Sequence, residues 1–316
     1  MKKFAVLTNI LFVVGSLFAG DYSGGDGLSG NPYKIATVSD LIELSNTSGD
    51  WGAYFIQTSN IVFDENEGNV DWDGDGSADW DTEDQKGFSP IGNSSTNFTG
   101  SYDGQNHTIN NLYIDRSTTN YIGLFGYLNN ADIDGVNLND VDITGNNQTG
   151  ALAGRFYTGT IDDCFVSGSV YGGDNSGGLA GNVVLRSVIH NCGADVAVTG
   201  FYNVGGFAGR LYHNDDNDDN KPLITNSYAT GNAFAQDRNV GGFVGWNAGL
   251  ISQCYATGDA TCNNGLKGRV GGFAGAVAYY DGSTGKIDNC FSSGDVSRNG
   301  SNTNYTYGLE IGRAHV

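Results

Sequence analysis

The chain has 316 residues, of which 50 are glycine and only 3 are proline, and 39% of its residues are hydrophobic. This apolar content is enough for a packed core, which argues against a disordered chain, and abundant glycine with little proline is typical of many tight turns. The formal net charge of -20 and the pI near 4.2 make nucleic acid a poor partner, because an acidic protein repels phosphate backbones, whereas cations or neutral glycans fit better.

The N-terminus has the pattern of a secretory signal peptide. Lys2 and Lys3 precede a mostly apolar segment at 4–18, which is short for a transmembrane helix. We expect residues 1–19 to be a signal peptide that is removed, and no later segment to span a membrane. The chain is therefore expected to be secreted, or extracellular at a bacterial cell surface.

Residues 20–110 come before a set of repeats and are predicted to cap them. Thr37 and Asp40 have the spacing of a capping box, and Leu41-Ile-Glu-Leu44 follows as the start of a short amphipathic helix. A stack of repeated strands needs such a cap because an open edge recruits other strands. We expect this region to hold the helix and the first irregular turns of the stack.

An acidic segment at 71–84 matches the pattern of a calcium-binding loop. Carboxylates at relative positions 1, 3, 5 and 9 alternate so that they converge on one cation, while a glycine at position 6 permits a sharp turn. The predicted calcium ligands are Asp71, Asp73, Asp75, Ser77 and Asp79. Position 12 carries Thr82 in place of a bidentate glutamate, which indicates a loop other than an EF-hand. The alternative is a solvated acidic insertion, in which close carboxylates repel by about 1 kcal/mol per pair.

A glycine-rich signature occurs six times within residues 111–309. Its closing glycines are 28, 27, 28, 36 and 30 residues apart. The copies are YIGLFG at 121–126, TGALAG at 149–154, SGGLAG at 176–181, VGGFAG at 204–209, VGGFVG at 240–245 and VGGFAG at 270–275. Such a period indicates repeats that bury their apolar faces against one another. Three short strand-like segments per repeat predict an all-β fold, a right-handed parallel β-helix with an N-terminal capping region that contains a short helix.

A second motif after each signature predicts which side chains stack. Equivalent positions of a parallel β-helix lie about 4.8 Å apart. The isoleucines that open the motif are predicted to form an inward ladder: Ile133, Ile161, Ile189, Ile224, Ile251 and Ile287. The polar residues two positions later are predicted to form a ladder at a turn, bonding to one another and to the backbone: Asp163, Asn191, Asn226, Gln253 and Asn289.

Four of the five cysteines share one position of this motif: Cys164, Cys192, Cys254 and Cys290. One interpretation is a disulfide framework, which export would permit. The other is a stack of small buried thiols. The second is favoured because Val136 and Ser227 occupy the same position in other repeats. Cys262 lies outside this ladder, and no spacing indicates a zinc site.

At these residues the chain resembles the GLUG-motif proteins of bacteria. The resemblance covers residues 31–309 and includes Asn31-Pro-Tyr-Lys-Ile35, Tyr54-Phe-Ile-Gln-Thr-Ser59, Ser89-Pro-Ile-Gly92 and the segment at 98–109. It implies a secreted or surface-exposed β-solenoid, usually part of a longer adhesin-like protein. The family also includes non-catalytic regions of some immunoglobulin-cleaving metallopeptidases. The resemblance implies no catalytic activity of the repeats themselves.

Aromatic residues recur just after the signature, at Tyr127, Phe156, Tyr157, Tyr212, Trp246, Tyr279 and Tyr280. On one face they would form a platform for sugar rings, since their flat apolar rings carry polar edges. The predicted glycan contacts are Tyr127, Tyr157, Tyr212, Trp246 and Tyr280. The alternative is that these side chains cover turns or alternate into the core.

Catalytic motifs are scarce, and no catalytic residue is predicted. His107 and His190 fit turn positions, and there is no HExxH motif. We therefore predict an adhesin-like, non-catalytic β-helix that binds a carbohydrate or a surface protein. The alternatives are a non-catalytic region of a larger secreted peptidase or glycan-active enzyme and, less favoured, a polysaccharide lyase or hydrolase within the repeats.

The repeat pattern breaks near the C-terminus. A seventh signature begins at Thr306-Tyr-Gly-Leu309 but does not continue. Residues 311–316 match an in-frame translation of a widely used sequencing adapter. We expect residues 310–316 to be an artefact and the natural protein to continue; the alternative is a genuine short tail.

Overall fold

The computed structural model describes residues 20–64, 86–213, 218–263, 269–277 and 285–298. The predicted signal peptide, the calcium-type loop at 71–84, Tyr280 and the C-terminal segment at 310–316 lie outside these residues. The described residues form two sheets of 12 and 15 strands, one α-helix, and two 3₁₀ turns at Ser48–Asp50 and Asp218–Asn220.

The two sheets take alternate strands from successive repeats. Sheet 1 contains β1 (Tyr33–Ile35), β2 (Tyr54–Gln57), β4 (Ser101–Asp103), β7 (Phe125–Asp134), β10 (Ala153–Asp162), β13 (Ala180–His190), β15 (Ala208–Tyr212), β16 (Leu223–Thr225), β19 (Val244–Asn247), β20 (Leu250–Ser252), β24 (Ala274–Val277) and β25 (Lys286–Asp288). Sheet 2 contains β3 (Ile61–Val62), β5 (Thr108–Asn110), β6 (Tyr113–Asp115), β8 (Asn137–Thr144), β9 (Thr149–Gly150), β11 (Phe165–Tyr171), β12 (Ser176–Gly177), β14 (Gly193–Gly205), β17 (Tyr228–Ala229), β18 (Ala233–Gly241), β21 (Tyr255–Ala256), β22 (Ala260–Cys262), β23 (Val270–Gly271), β26 (Phe291–Ser292) and β27 (Val296–Arg298). Neighbouring strands pair in parallel, one repeat against the next. The fold is the predicted parallel β-helix.

The isoleucine ladder is confirmed in register. Ile161 pairs with Ile133 on one side and Ile189 on the other, and the pairing continues through Ile224, Ile251 and Ile287. The first five isoleucines are buried, and Ile287 is half-buried. Aromatic residues extend the same ladder towards the N-terminus, where Ile133 pairs with Tyr102, Tyr102 with Phe55 and Phe55 with Tyr33. The core is therefore continuous from β1 to β20, and β25 adds the half-buried Ile287.

The signature builds a second core ladder. Its fourth residue is fully buried in every repeat: Leu124, Leu152, Leu179, Phe207, Phe243 and Phe273. The closing glycine is needed because the chain passes close to the preceding repeat. A Cβ added at Gly209 would lie 2.5 Å from the backbone carbonyl carbon of Asn175, and one at Gly245 would lie 2.3 Å from that of Asn203. No side chain fits at either distance.

The predicted polar ladder lies at a turn between the two sheets. All five of its residues have left-handed backbone conformations, with φ between 49° and 56°. Asn and Asp tolerate this region better than other residues with a side chain, which accounts for their recurrence. The Asn191 amide donates a hydrogen bond to the Asp163 carboxylate of the preceding repeat. This bond links two neighbouring turns in the way predicted for the ladder.

The four ladder cysteines carry free buried thiols, which confirms the favoured interpretation. The Cys192 thiol donates to the His190 carbonyl (3.0 Å) and accepts the backbone N–H of Cys164 (3.4 Å). The Ser227 hydroxyl makes the same pair of bonds in the next repeat, to the Thr225 carbonyl and from the Cys192 N–H. Cys and Ser interchange here because both donate and accept one bond. Cys262 is buried elsewhere, on β22.

Helix α1 (Val38–Asn46) follows β1 and confirms the predicted capping box. The Thr37 hydroxyl oxygen accepts the Asp40 N–H, and the Asp40 carboxylate accepts the Thr37 N–H. Leu41 and Leu44 are fully buried and belong to the hydrophobic core. The pattern of apolar residues at i and i+3 thus fixes which side of the helix lies against the first strands.

Candidate functional site

The predicted glycan-contact residues that the structure describes lie together on the outer surface of sheet 1. Tyr127, Tyr157, Tyr212 and Trp246 are half-buried there, in strands whose alternate residues enter the core. They occupy two adjacent columns, since Tyr127 and Trp246 share one repeat position and Tyr157 and Tyr212 share the position two residues later. We call these four residues, with Arg155 and Arg210, the aromatic face.

Phe156 is not part of this face, although its place in the sequence suggests that it could be. It is fully buried, pairing with Leu128 and Val183 of the neighbouring strands. Side chains of a strand point to opposite sides in turn, so Phe156 faces inward between the outward Arg155 and Tyr157. For Phe156 the alternative interpretation of the sequence is therefore correct, because its side chain alternates into the core.

Arginines separate the aromatic residues along the face, which the sequence interpretation did not foresee. In the first column, pairing runs from Tyr127 to Arg155, then Asn182, Arg210 and Trp246. The Arg155 guanidinium carbon lies 5.2 Å from the Tyr127 ring centre and 5.9 Å from that of Tyr157. Such contacts join a planar cation to the ring face. The sequence does contain a signal for these arginines, because Arg155 and Arg210 each directly follow the closing glycine of a signature.

A groove opens at the C-terminal part of this face, where strands of sheet 2 lead into strands of sheet 1. It encloses about 360 Å³, a volume within the usual range of small-molecule sites of about 300–1,000 Å³. We call it the arginine groove. It is lined by Tyr202, Asn203, Arg210, Arg238, Asn239, Trp246 and Arg269.

Register explains how the arginine groove forms. Tyr202 on β14 pairs with Arg238 on β18, and Arg210 on β15 pairs with Trp246 on β19. The signature glycines connect β14 to β15 and β18 to β19, so two consecutive repeats supply both walls. Arg238 also donates a hydrogen bond to the Tyr202 hydroxyl (3.2 Å), which raises the pKa of its guanidinium.

Arg210 is the most enclosed cation of the groove. Its guanidinium carbon lies 4.1 Å from the Tyr212 ring centre and 4.7 Å from that of Trp246. Burial lowers the pKa of Arg210, and the nearby Arg155 lowers it further, while Tyr212 acts in the opposite direction. Within the described residues the ion pair at this groove joins Arg238 to Asp237, at 3.6 Å. The charge of Arg210 is thus stabilised by aromatic rings.

A ladder of asparagines ends inside the groove. The Asn203 side-chain NH₂ donates to the side-chain oxygen of Asn175 (2.8 Å), and the Asn239 side-chain NH₂ donates to the side-chain oxygen of Asn203 (2.7 Å). The side-chain oxygen of Asn239 is buried and accepts no hydrogen bond. The next repeat carries Arg269 in place of another asparagine, which ends the series.

Another aromatic column lies on sheet 2. Phe165, Tyr228, Tyr255 and Phe291 form it, and the last three rings stack nearly parallel with centres 5.3 and 5.2 Å apart. Rings stacked in this way cover one another and present their edges to solvent. The column therefore offers less flat surface for a sugar ring than the aromatic face does.

An acidic cluster occurs where strands β7 and β10 of sheet 1 end and the turn towards sheet 2 begins. Carboxylate oxygens of Asp134, Asp162 and Asp163 lie within 4.8 Å of one another and could hold a metal ion. Burial, together with repulsion from Asp103 and the other two carboxylates, raises the pKa of Asp134. The predicted calcium ligands at 71–79 are outside the described residues, so this cluster is a separate feature.

Two of the histidines that the structure describes, His107 and His190, show contacts typical of structural roles. His107 Nδ1 lies 3.2 Å from the Asn60 side-chain oxygen Oδ1, next to a turn. His190 Nδ1 lies 2.8 Å from the Thr225 hydroxyl of the next repeat. These contacts link neighbouring repeats and favour the predicted turn roles.

Sequence comparison identifies the repeats themselves. Residues 237–261 and 268–297 match the profile described as the GLUG motif, and the same core ladders run through the other signature copies. The chain carries the GLUG motif. The matched GLUG segments include Arg238, Trp246 and Arg269, so the arginine groove is built largely from them.

Two relatives share about half of the chain. Halomucin of Haloquadratum walsbyi is 35% identical over 176 residues, which are 54% of this chain and 2% of halomucin. A protein of Evansella cellulosilytica provisionally named a Gly-rich membrane protein is 30% identical over 171 residues, which are 51% of this chain and 17% of that protein. The chain thus corresponds to a small part of each relative.

One solved structure has a fold similar to that of this chain. A crystal structure of a Bacteroides ovatus protein, provisionally named an immunoglobulin A1 protease, aligns with a TM-score of 0.67 at 21% identity, covering 92% of this chain and 84% of that one. At this identity the likeness concerns the fold alone. In the part of the chain that the structure describes, no helix has the length and apolar character to cross a membrane.

Proposed function

We propose that the chain is an adhesin-like binding protein, secreted or at the cell surface, whose aromatic face contacts a glycan without catalysing a reaction. The observation that carries the proposal is the arrangement of Tyr127, Tyr157, Tyr212 and Trp246 on one outer surface. Four repeat steps separate Tyr127 from Trp246, or about 19 Å at about 4.8 Å per step. That length suits several units of a polymer better than one small molecule.

The chemistry of the face favours a carbohydrate over a surface protein as the partner. Aromatic rings provide flat apolar contact for sugar rings, and the intervening Arg155 and Arg210 provide hydrogen-bond donors for hydroxyl groups. The surface is a long, shallow strip with polar groups between the rings. A protein partner would favour a more continuous apolar centre.

An extracellular location accords with the relatives. One is named a mucin and the other a membrane protein, and the N-terminal residues have the pattern of a signal peptide. We also propose that the loop with Asp71, Asp73 and Asp75 binds calcium, which extracellular modules bind at about 10⁻⁴–10⁻³ M. The ion would stabilise the N-terminal part of the β-helix.

A larger enzyme could also contain this chain. The fold shared with the Bacteroides ovatus protein supports a role as the non-catalytic, targeting part of a secreted peptidase or glycan-active enzyme. In that arrangement the aromatic face has the same task, since it would hold the enzyme on its substrate. Binding by the isolated chain would therefore be retained.

The acidic cluster supports a second candidate function, a glycan hydrolase within the repeats. Glycosidases use paired carboxylates, one of them with a raised pKa, and Asp134 beside Asp162 has this character. The charged groups that shift the pKa of Asp134 are, however, all carboxylates, which makes this candidate weaker than glycan binding. Release of reducing ends that Asp134→Asn abolishes would favour this function.

Affinity electrophoresis of the full chain through gels with embedded polysaccharides tests the main proposal. We expect retardation by at least one polysaccharide, and its loss in Tyr212→Ala and Trp246→Ala. Tyr171→Ala is the matched control, because Tyr171 is 51% exposed on sheet 2. Equal retardation of all four proteins, or none by any polysaccharide, would contradict the proposal.

A further inference from the structure

We propose that the arginine groove binds a carboxylated sugar unit of the glycan. This inference rests on the proposed glycan function and makes it more specific. The chain has only 15 basic residues against 35 acidic ones, yet Arg210, Arg238 and Arg269 line one groove of about 360 Å³. The negative net charge of the chain favours neutral glycans as ligands, whereas this local cluster of arginines favours an anionic one.

The charge of Arg210 is available to a ligand. This arginine packs between Tyr212 and Trp246, and no carboxylate of the described residues forms an ion pair with it. A guanidinium that has lost water without gaining a counter-ion is costly, and burial lowers the pKa of Arg210 accordingly. A bound carboxylate would supply the missing partner through paired N–H···O bonds.

The other two arginines add positive charge at the rim. Arg238 has an ion pair with Asp237 at 3.6 Å, and its side chain remains 40% exposed. Asp174 also faces Arg238: burial raises the pKa of the Asp174 carboxyl group, and the Arg238 charge offsets part of this increase. Arg269 is exposed. Two carboxylates therefore oppose three guanidinium groups, which leaves Arg210 as the main anion-binding group.

One further feature favours a sugar over a simple anion. Trp246 and Tyr202 both line the groove, and their aromatic rings provide surface on which a sugar ring can pack.

The repulsion between an acidic protein and an acidic ligand does not exclude binding. At an ionic strength of about 0.15 M the Debye length is about 8 Å. Charges elsewhere on the solenoid are then largely screened, while the groove arginines contact the ligand directly. The overall charge of -20 would instead disfavour long polyanions that lie along the rest of the surface.

The test compares carboxylated oligosaccharides with their own methyl esters by isothermal titration with the full chain. Oligogalacturonate, oligomannuronate and sialyllactose are the probes. Each ester keeps the rings and hydroxyls and replaces the charged carboxylate by a neutral methyl ester. We expect at least one acid to bind about tenfold or more tightly than its ester, as charge-assisted hydrogen bonds imply.

Arg210→Gln should remove most of this preference for the acid, and Arg238→Gln should reduce it by a smaller factor. Arg186→Gln is the matched control, since it changes the net charge equally at an exposed arginine outside the groove. Arg238→Gln keeps the test valid if Arg210→Gln disturbs the aromatic packing. Sulfated dextran serves as the competing anion.

The outcomes separate this inference from the proposed function. Acid and ester that bind equally well, with binding lost in Trp246→Ala, would overturn the inference and leave glycan binding intact. The inference would also be overturned if Arg186→Gln reduced the preference for the acid as much as Arg210→Gln does. It would likewise be overturned if the chain bound dextran sulfate but none of the carboxylated oligosaccharides. No binding of any acid, ester or neutral polysaccharide would contradict both.

Discussion

The rings of Phe207 and Phe243 stack with their centres 4.6 Å apart and their planes 6° from parallel. Phe273 continues the stack at 4.8 Å. All three occupy the fourth position of the glycine signature and are fully buried. The signature thus encodes a core ladder, in which each repeat's ring completes the packing of its neighbours.

Phe243→Ala should lower the free energy of unfolding by about 3–5 kcal/mol, because it leaves a cavity between two rings. Phe243→Leu should cost less than about 1.5 kcal/mol, since Leu152 and Leu179 occupy the equivalent position elsewhere in this chain. Urea denaturation followed by circular dichroism measures both. A similar loss for both variants would show that the ladder requires stacked rings and not apolar volume.

Cys192→Ser should be tolerated better than Cys192→Ala. A serine hydroxyl can replace the thiol in its bonds to the His190 carbonyl and from the Cys164 N–H, as Ser227 already does. Alanine leaves these two backbone groups without that partner, at about 1–3 kcal/mol. Thermal melts of the three proteins measure the difference.

The same melts, repeated with a reducing agent, check the state of the ladder. Because the four ladder thiols are free, a reductant should leave the melting temperature of the unsubstituted chain unchanged. A lowered melting temperature would contradict the thiol ladder and favour disulfides. Equal stability of Cys192→Ala and Cys192→Ser would show that the hydrogen bonds contribute little.

Asp40 should make the N-terminal helix sensitive to acid. Burial alone would raise the pKa of this carboxyl group, but hydrogen bonds from Ala36, Ser23 and Thr37 hold it below its ordinary value of 3.8. A lowered pKa in the folded state means that the stabilisation is complete above pH 3.8 and is lost as the pH falls through the folded-state pKa.

Asp40→Asn should therefore destabilise the cap by about 1.5–3 kcal/mol at neutral pH, and by much less in strong acid. Hydrogen exchange of amides in Val38–Asn46 reports the opening of this region directly. Asp21→Asn is the control, since Asp21 is exposed. If the loss of cap stability in Asp40→Asn stays constant as the pH falls, the charge of the Asp40 carboxylate is not its cause.

Calcium should raise the melting temperature of the chain through the loop at 71–84. At a calcium concentration about 100-fold above the Kd, binding to the folded state alone contributes about 2.7 kcal/mol. Asp75→Asn should abolish this increase, and Asp21→Asn should preserve it. An equal effect of magnesium, or an increase that survives Asp75→Asn, would indicate a different site such as the acidic cluster at Asp134.

The sequence predicts most of the core because the repeat position alone decides which residues meet. Ile133 and Ile161 are in register since each follows the closing glycine of its signature by the same number of residues. The capping box at Thr37 and Asp40 is predictable for another reason, as it depends on contacts within four residues. Both the capping box and the repeat position can be recognised without knowledge of the rest of the chain.

The arginine groove could not be predicted in this way. Tyr202 and Arg238 become neighbours across a repeat lengthened to 36 residues, and Arg210 meets Trp246 from another strand of the same repeats. The groove depends on how two sheets meet at a turn, which a period does not describe. The composition does not indicate the groove either, because the negative net charge of the chain gives no sign that the fold brings three arginines together.

The measurement that tests the central claim most directly is ¹⁹F NMR of the full chain labelled with 5-fluorotryptophan. The chain has four tryptophans, and Trp246→Phe assigns the resonance of the one in the groove. Trp51 is buried and donates a hydrogen bond to the Leu44 carbonyl, so it serves as an internal reference. Oligosaccharides, acids and methyl esters alike, are added until binding saturates. A glycan that binds the aromatic face shifts the Trp246 resonance and leaves that of Trp51 unchanged. Saturable binding without a shift at Trp246, or no shift with any oligosaccharide, would contradict the account.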